Sequence, residues 1–581
     1  MVTHIFLQHV LGLIPMWSTI LSYFPKGTVF FGAFMTLVIP LLLMRVIRLL
    51  RNFIRGSGRS LSGKGQAGFK EPQGGQGEGH AAVQHFYGNF DDDLNALKSA
   101  IGGNSDVHFR EFVVAGANLR AVLVYVEGMQ TEDQINKHVM KTLMKDSADE
   151  FKEALKATKP YVKNGLGAFI KKRILPVSVI FDVHNATELK QAILRGYTAL
   201  MVEGMTEAIL VDTPNNKTRT ISEPISETLL RGPRLGFTEV LTENTAMLRQ
   251  HGRNESLEIK KFEVGTRAKK SLALVYMRDI VNADLLAEVE KRLQTVDMDF
   301  IIESGYIEQL IEDDELSPFQ QTQNTERPDR VLSAIMEGRI AILLDGTPFA
   351  LIVPVTFSML LQSPEDYYER WLPGTLLRCL RFFAAFLALT APALYISFIS
   401  FHPGLIPTEL VISIINARQG VPFPSLIEVL ILEISIEILR EAGIRLPQPI
   451  GPAMGIVGGL IIGDAAVNAG IVSPFLVIVV SVTAISSFSI PMYSAGITLR
   501  ILRFVGMIFA SVLGILGTVL FLLLVCSHLV KLKSFGVPYL TPVTPFRFNG
   551  WKDLFLRAPM RLMYQRPDLM KPRDSTRKRR S

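Results

Sequence analysis

Cysteine is almost absent. Cys379 and Cys526 are the two in 581 residues, and both fall within or beside apolar stretches. This excludes a disulfide framework and any cysteine-based metal spacing, so both thiols are expected to be packing residues. Catalytic signatures are missing as well. There is no Walker A sequence, no HExxH, no nucleophile elbow with a triad and no kinase motif set, and the histidines are scattered. No enzyme, cofactor or metal site is expected. The N-terminus has neither a basic n-region nor a small-residue cleavage site ahead of its first apolar run, so no cleaved signal peptide is expected. Charge is absent from 382–401, 446–463 and 465–499, and such runs suit lipid.

What the chain does have is a split. Residues 81–340 read as soluble, whereas 379–530 are mostly lipid-compatible. The net charge of +7 matters through its placement. Arginines 45, 48, 51, 55 and 59 follow the apolar run 27–44, and basic residues crowd the last 25 positions. Such clusters beside spans mark the cytoplasmic side. A nucleic-acid patch is the competing reading of the basic tail, but the tail follows a span and no nucleic-acid fold surrounds it.

In order, the chain divides into an apolar anchor or hairpin (1–55), a glycine-rich flexible linker (56–84), a first α/β subdomain (85–215) and a connecting segment (216–264). A second α/β subdomain with a membrane-proximal segment (265–371), a polytopic helical domain (372–530) and a basic tail (531–581) follow. The fold class is therefore α+β with a membrane part: duplicated cytoplasmic α/β subdomains, then a polytopic α-helical transmembrane domain. The duplication is visible in the letters. ILRGYTALMVEGMTEAILV (193–211) matches IMEGRIAILLDGTPFALIV (335–353) at an offset of 142, with glycines coinciding at Gly196/Gly338 and Gly204/Gly346 and acids at Glu203/Asp345. Each copy reads as a helix end, a strand, an acid-Gly turn and a second strand. A weaker echo relates 119–144 to 271–293.

Five strong spans are expected in the C-terminal half, counting an acidic helix at 425–443. Residues 405–418 are short and read as a re-entrant or partial segment. Arg500 and Arg503 precede a last uncharged stretch, 504–530, and Pro392, Pro474 and Pro491 mark kinks or segment ends.

The acidic helix, SLIEVLILEISIEILREAG, carries Glu428, Glu433, Glu437 and Glu441. The last three stack at i, i+4, i+8 on one face. An ionised carboxylate near the bilayer centre costs roughly 2.5–3.5 kcal/mol, so three facing lipid would cost on the order of 7–10 kcal/mol. They are expected to face water, protein or headgroups. Glu428, Glu433 and Glu437 are ion-path candidates; Arg440 and Arg445 leave Glu437 and Glu441 open to a second reading as interfacial pairs. Beyond this helix, Gly451, Gly455, Gly459 and Gly463 form a four-residue ladder of the kind that lets helices pack closely in lipid. Asp464 and Asn468 lie beside it at i, i+4. A polar path and an interfacial position stand as equal readings for Asp464.

Several stretches carry a resemblance. GRIAILLDGTPFALIVPVTF (338–357), SPEDYYERW (363–371), FHPGLIPTEL (401–410), ARQGVPFPSLIEVLILEISIEILREAGIRLPQPIG (417–451) and SFGVPYLTP (534–542) resemble the A subunit of bacterial spore germinant receptors, the GerA family. The resemblance spans roughly 85–550; residues 1–80 fall outside it. It implies a membrane subunit of a nutrient receptor in the spore inner membrane, with the soluble domain and tail cytoplasmic. The implied partners are a transporter-like B subunit that binds the nutrient, a lipoprotein C subunit and further copies of the chain, surrounded by lipid, with no nucleic acid. It also implies oligomerisation into a ring that conducts ions. A secondary transporter and a non-conducting scaffold are the alternatives.

Overall fold

The computed structural model describes residue 86 and residues 89–157, 162–177, 179–213, 223–224, 226–445 and 463–578. The anchor expected at 1–55, the linker at 56–84 and the glycines 451, 455 and 459 lie outside the described residues.

Two five-stranded sheets follow one another. In the first copy, α1 (Phe90–Ile101), β1 (Val107–Val114) and β2 (Leu119–Val126) lead through a helical region to β3 (Ile180–Val183), α2 (Ala186–Leu194), β4 (Thr198–Val202) and β5 (Ala208–Val211). The second copy runs α3 (Leu241–Gly252), β6 (Leu257–Val264), β7 (Lys270–Met277), α4 (Ala283–Gln294), α5 (Ser304–Ile311), β8 (Gln323–Thr325), α6 (Pro328–Ile335), β9 (Ile340–Leu344) and β10 (Ala350–Val353). The sheet orders are β1-β2-β4-β5-β3 and β6-β7-β9-β10-β8. Every pairing is antiparallel. The copies are therefore the same unit. Their offset changes from 151 (α1 to α3) to the 142 read from the letters (β4 to β9), so the second copy is shorter in its middle by nine residues.

Helices cover both faces of each sheet, which is why the strands are apolar runs rather than alternations. In β2, Val122, Val124 and Val126 enter one core while Ala121 and Leu123 enter the other. In β7, Leu272, Leu274 and Tyr276 separate in the same way from Ala273, Val275 and Met277. The acid-Gly turns close the hairpins at Gly204 (φ +88°) and Gly346 (φ +85°), a left-handed conformation that glycine adopts without a Cβ penalty. The preceding acids play matching backbone roles: Glu203 N–H donates to the Arg120 carbonyl, and Asp345 N–H to that of Ser271.

One difference from the sequence reading concerns 216–264. The strand β6 pairs with β7 along its whole length, from Leu257 with Met277 to Val264 with Lys270. Residues 241–264 therefore belong to the second sheet unit and do not connect the two.

The C-terminal helices are α7 (Trp371–Ser400), α8 (Thr408–Arg418), α9 (Ser425–Arg445), α10 (Pro474–Phe488), α11 (Tyr493–Leu513) and α12 (Ile515–Lys531). Pro392 lies inside α7, Pro474 opens α10, and Pro491 falls between α10 and α11. Two of the described helices, α7 and α11, are long and apolar enough to cross a membrane; α10 and α12 are apolar but shorter. At 1.5 Å per residue, the 11 residues of α8 rise about 16 Å, half a bilayer core. The expected apolar stretch 504–530 is not one helix. Gly514, at φ +61°, ends α11 and starts α12, and Arg500 and Arg503 sit inside α11 instead of ahead of a span. Both cysteines, expected to be packing residues, are exposed, and Cys379 Sγ donates to the Phe555 carbonyl at 3.6 Å.

The second copy is tied to the bundle. Thr498 Oγ1 donates to the Pro318 carbonyl (2.6 Å), Ser494 Oγ to Gln320 Oε1 (2.6 Å), and Tyr539 OH to the Gln320 carbonyl (2.6 Å). Arg378 of α7, fully buried, pairs with Asp366 (3.2 Å) and Asp553 (2.8 Å). The basic tail folds back as well: Arg573 N–H donates to the Ile280 carbonyl, and Arg566 Nε to that of Met336 (2.8 Å).

Candidate functional site

α9 opens after Pro424 and runs 21 residues without proline. It sets three carboxylates against other helices. Glu428, fully buried, receives Arg418 Nη2 of α8 at 2.5 Å and the Ser473 N–H at 3.3 Å. One and a half turns on, Glu433 pairs with Arg503 of α11 at 2.9 Å, both side chains buried. Glu437 is shared among Arg503 (3.2 Å), Arg500 (3.4 Å) and Arg440 (3.5 Å). Glu441 pairs with Arg445 at 2.7 Å in solvent.

The structure thus corrects the distinction drawn among the four acids. Glu433 and Glu428 have no arginine near them in sequence, yet each has one in space. Arg418 is ten residues before Glu428, and Arg503 is supplied by α11. The pairings of Glu437 with Arg440 and of Glu441 with Arg445 were readable from spacing. Arg500 and Arg503 were visible as charges in an apolar run, but their placement suggested a flank, not partners inside the bundle.

Asp464 and Asn468, on the helical stretch 463–468, are exposed and form no part of this network. Gly463 makes an ordinary approach, with its Cβ position 3.6 Å from Val477. Close helix packing is carried elsewhere: a Cβ on Gly506 of α11 would stand 2.9 Å from the Phe521 ring of α12.

The cluster is over-supplied with donors. Four guanidiniums (Arg418, Arg440, Arg500, Arg503) meet three carboxylates (Glu428, Glu433, Glu437), leaving one net positive charge. Several buried atoms have no hydrogen-bond partner among the described residues: Glu433 Oε1, Arg503 Nε and Nη1, Arg418 Nε, and Arg440 Nε and Nη2. Buried polar atoms in this condition cost about 1–3 kcal/mol each. The cluster is therefore held together by its charge pairing and not by complete hydrogen bonding, and a different arrangement of the same helices could satisfy it as well.

Near the bundle, the loop after α5 carries a second titratable group. Glu312 accepts from the Gln321 N–H at 2.6 Å, and burial pushes its carboxyl up to about 7. Burial also raises Glu308. The same loop presents Asp313 to Arg292 (2.7 Å) and Ser317 Oγ to His528 of α12 (2.9 Å).

With this geometry in place, likeness to known proteins is informative. Residues 95–569 match the Bacillus/Clostridium GerA spore germination protein family. The chain is 40% identical over 489 residues to spore germination protein GerLA of Bacillus cereus, covering 84% of this chain and 97% of that one. It is 41% identical over 491 residues to spore germination protein B1 of Bacillus subtilis strain 168, covering 84% and 98%. An uncharacterized membrane protein of the same strain, YfkQ, is 41% identical over 82% of this chain. Among solved structures, the N-terminal domain of the A subunit of the Bacillus megaterium spore germinant receptor GerK3 is 31% identical, covering 48% of this chain and 98% of that chain with a TM-score of 0.36.

Proposed function

The chain belongs to the Bacillus/Clostridium GerA spore germination protein family, and we propose that it is the A-type subunit of a germinant receptor whose copies assemble into a nutrient-gated cation channel. In this reading the helices α7 to α12 form a polytopic bundle in the spore inner membrane, with the sheet units and the tail on the cytoplasmic side. The nutrient binds a transporter-like B subunit, and a lipoprotein C subunit completes the receptor.

The observation that carries the reading is the buried cluster on α9. Carboxylates and guanidiniums in an apolar bundle are costly, and such groups mark ion or proton paths. Here they are paired across two helices, so rotating α9 against α11 would free Glu433 and Glu437 from Arg503. A ring of freed carboxylates, one set per copy, favours cations. The hydrogen bonds from the second sheet unit to Ser494 and Thr498 support this reading, in which the soluble part acts on α11 directly.

The same pairing supports a second reading, a non-conducting scaffold in which the acids only hold the bundle together. Cation flux from liposomes that contain the assembled receptor separates the two. Glu433→Gln is expected to alter cation selectivity or conductance while assembly persists. Flux and selectivity unchanged from wild type, in a variant that still assembles, would leave the scaffold reading standing.

A further inference from the structure

At the level where α9 and α10 end and α11 begins, a cavity of about 380 Å³ opens between the bundle and the soluble segments at 226–229 and 363–364. Three arginines line it: Arg330, Arg440 and Arg500. Glu227 is the acid on its wall, and it is occupied by Arg330 at 3.2 Å. Arg500 leans on the shared Glu437.

Arg440 also reaches Glu437, through Nη1 alone and at a longer 3.5 Å, which leaves the rest of its guanidinium open. Its side chain is 7% exposed. Its guanidinium stacks over the Phe488 ring at 4.4 Å, and Nη1 donates to Ser487 Oγ at 3.2 Å. Nε and Nη2 have no partner among the described residues. A buried guanidinium with two donors free beside a cavity is a site for an anion, and its planar fork suits phosphate oxygens. The C-terminal ends of α9 and α10 oppose an anion by their dipoles and the N-terminus of α11 favours one, so the three guanidiniums supply most of the net attraction.

The surroundings distinguish a lipid from a soluble ion. Ile444, Phe488 and Tyr493 line the cavity and are also exposed, and exposed Ile485 continues that apolar surface one turn back along α10. A free anion has no use for such a surface, whereas acyl chains do. Basic pockets between membrane helices at the cytoplasmic face take anionic headgroups. We propose that this cavity binds the phosphate headgroup of an anionic phospholipid, with Arg440 as its principal contact and the acyl chains lying along the exposed face of α10.

The test uses the full chain in nanodiscs, comparing phosphatidylglycerol with phosphatidylcholine and counting retained lipid by native mass spectrometry after detergent exchange. Wild type is expected to retain phosphatidylglycerol, and Arg440→Gln to lose at least ten-fold in affinity. Arg445→Gln removes the same charge from an exposed pair and is expected to behave as wild type. Because Arg440→Gln could also loosen the bundle, Gly496→Glu is the second variant. It keeps every arginine and places a carboxylate at the cavity wall, so it should displace the lipid while the melting temperature holds. Equal retention by wild type, Arg440→Gln and Gly496→Glu would overturn the proposal. Equal loss in Arg445→Gln and Arg440→Gln would reduce it to general surface charge. Protection of the protein by inorganic phosphate with no preference for phosphatidylglycerol would assign the site to a soluble anion and overturn the lipid.

Discussion

The two sheet units share strand order and hairpin turns, yet they bury opposite kinds of residue at the same edge. In the first copy the edge strand β3 reads Ile-Phe-Asp-Val, and Phe181 is 50% exposed. In the second, β8 reads Gln-Asn-Thr, and Gln323, at the position equivalent to Phe181, is fully buried. Hydrophobicity alone would order these the other way. The difference lies in what covers each edge. β8 is enclosed by the bundle and its neighbours: the Gln323 side-chain amide lies 3.8 Å from Met492 Sδ beside α11, and Thr325 Oγ1 donates to Glu227 at 3.1 Å. Nothing described covers Phe181 in the same way. Duplication thus left this edge of one copy open and turned that of the other into the contact with the apolar C-terminal helices.

The comparison can be broken first at the join between the copies. Arg249 of α3 is buried with Asp106 of the first copy at 2.8 Å and donates also to Asn104 (2.7 Å) and the Leu257 carbonyl (2.6 Å). Its counterpart, 151 residues earlier, is Lys98, which pairs with Glu111 at the surface. Arg249→Ala leaves Asp106 buried without its partner and is expected to cost about 3–5 kcal/mol. Lys98→Ala should cost less than about 1 kcal/mol. Thermal and chemical unfolding of the two variants checks the ratio, and equal losses would mean that the copies are not joined through this pair.

A second test concerns protons. At the 142-residue offset, Glu308 and Glu312 of the second copy stand where the first has Leu166 and Ile170, both buried. Because Glu312 titrates near 7 when folded and lower when unfolded, the folded state holds the extra proton between these values. Stability from this group is therefore present at low pH and falls as pH rises from about 4.5 to about 7, by a few kcal/mol at most. Glu312→Gln should flatten that slope in melting temperatures measured between pH 5 and 8, with Glu308 and Glu337, both raised by burial, contributing to what remains. An unchanged slope would place the pH response elsewhere than this loop.

The smallest effect sharpens the comparison instead. Gly204→Ala and Gly346→Ala both force a side chain into a left-handed turn and should each cost about 1–2 kcal/mol. In the second copy the new Cβ would also meet the end of Lys270, 2.9 Å away, which can swing aside. A gap of more than about 1 kcal/mol between the variants would show that the two turns are not interchangeable.

These contrasts also explain what the letters conceal. The matched hairpins were legible because buried strands and acid-Gly turns leave a local imprint. The start of the second copy was not, because α3 is LTENTAMLRQHG and buries Asn244 and Thr245 on local backbone partners and Arg249 against the first copy. A helix that packs through polar groups loses the apolar stripe by which helices are recognised. The acidic helix was legible as an energetic anomaly for the same reason that its resolution was not. A carboxylate in an apolar run is a local fact, whereas its arginine arrives from a helix some 70 residues away. The apolar stretch 504–530 concealed its division because Gly514 carries no side chain to announce a break.

The uneven count of charges in the bundle has an electrical meaning. The charges are divided unevenly between helices: α11 carries Arg500 and Arg503 with no acid, and α9 carries Glu428, Glu433, Glu437 and Glu441 against Arg440 and Arg445, in a bundle that, in the membrane reading, lies across a potential. Moving one such charge through the full drop is worth about 2.3 kcal/mol per 100 mV. A slide of α11 against α9 along the membrane normal therefore does work against the field in proportion to the fraction crossed, because Arg500 and Arg503 move relative to the acids of α9, and membrane voltage becomes a term in the energy difference between the two arrangements of this cluster.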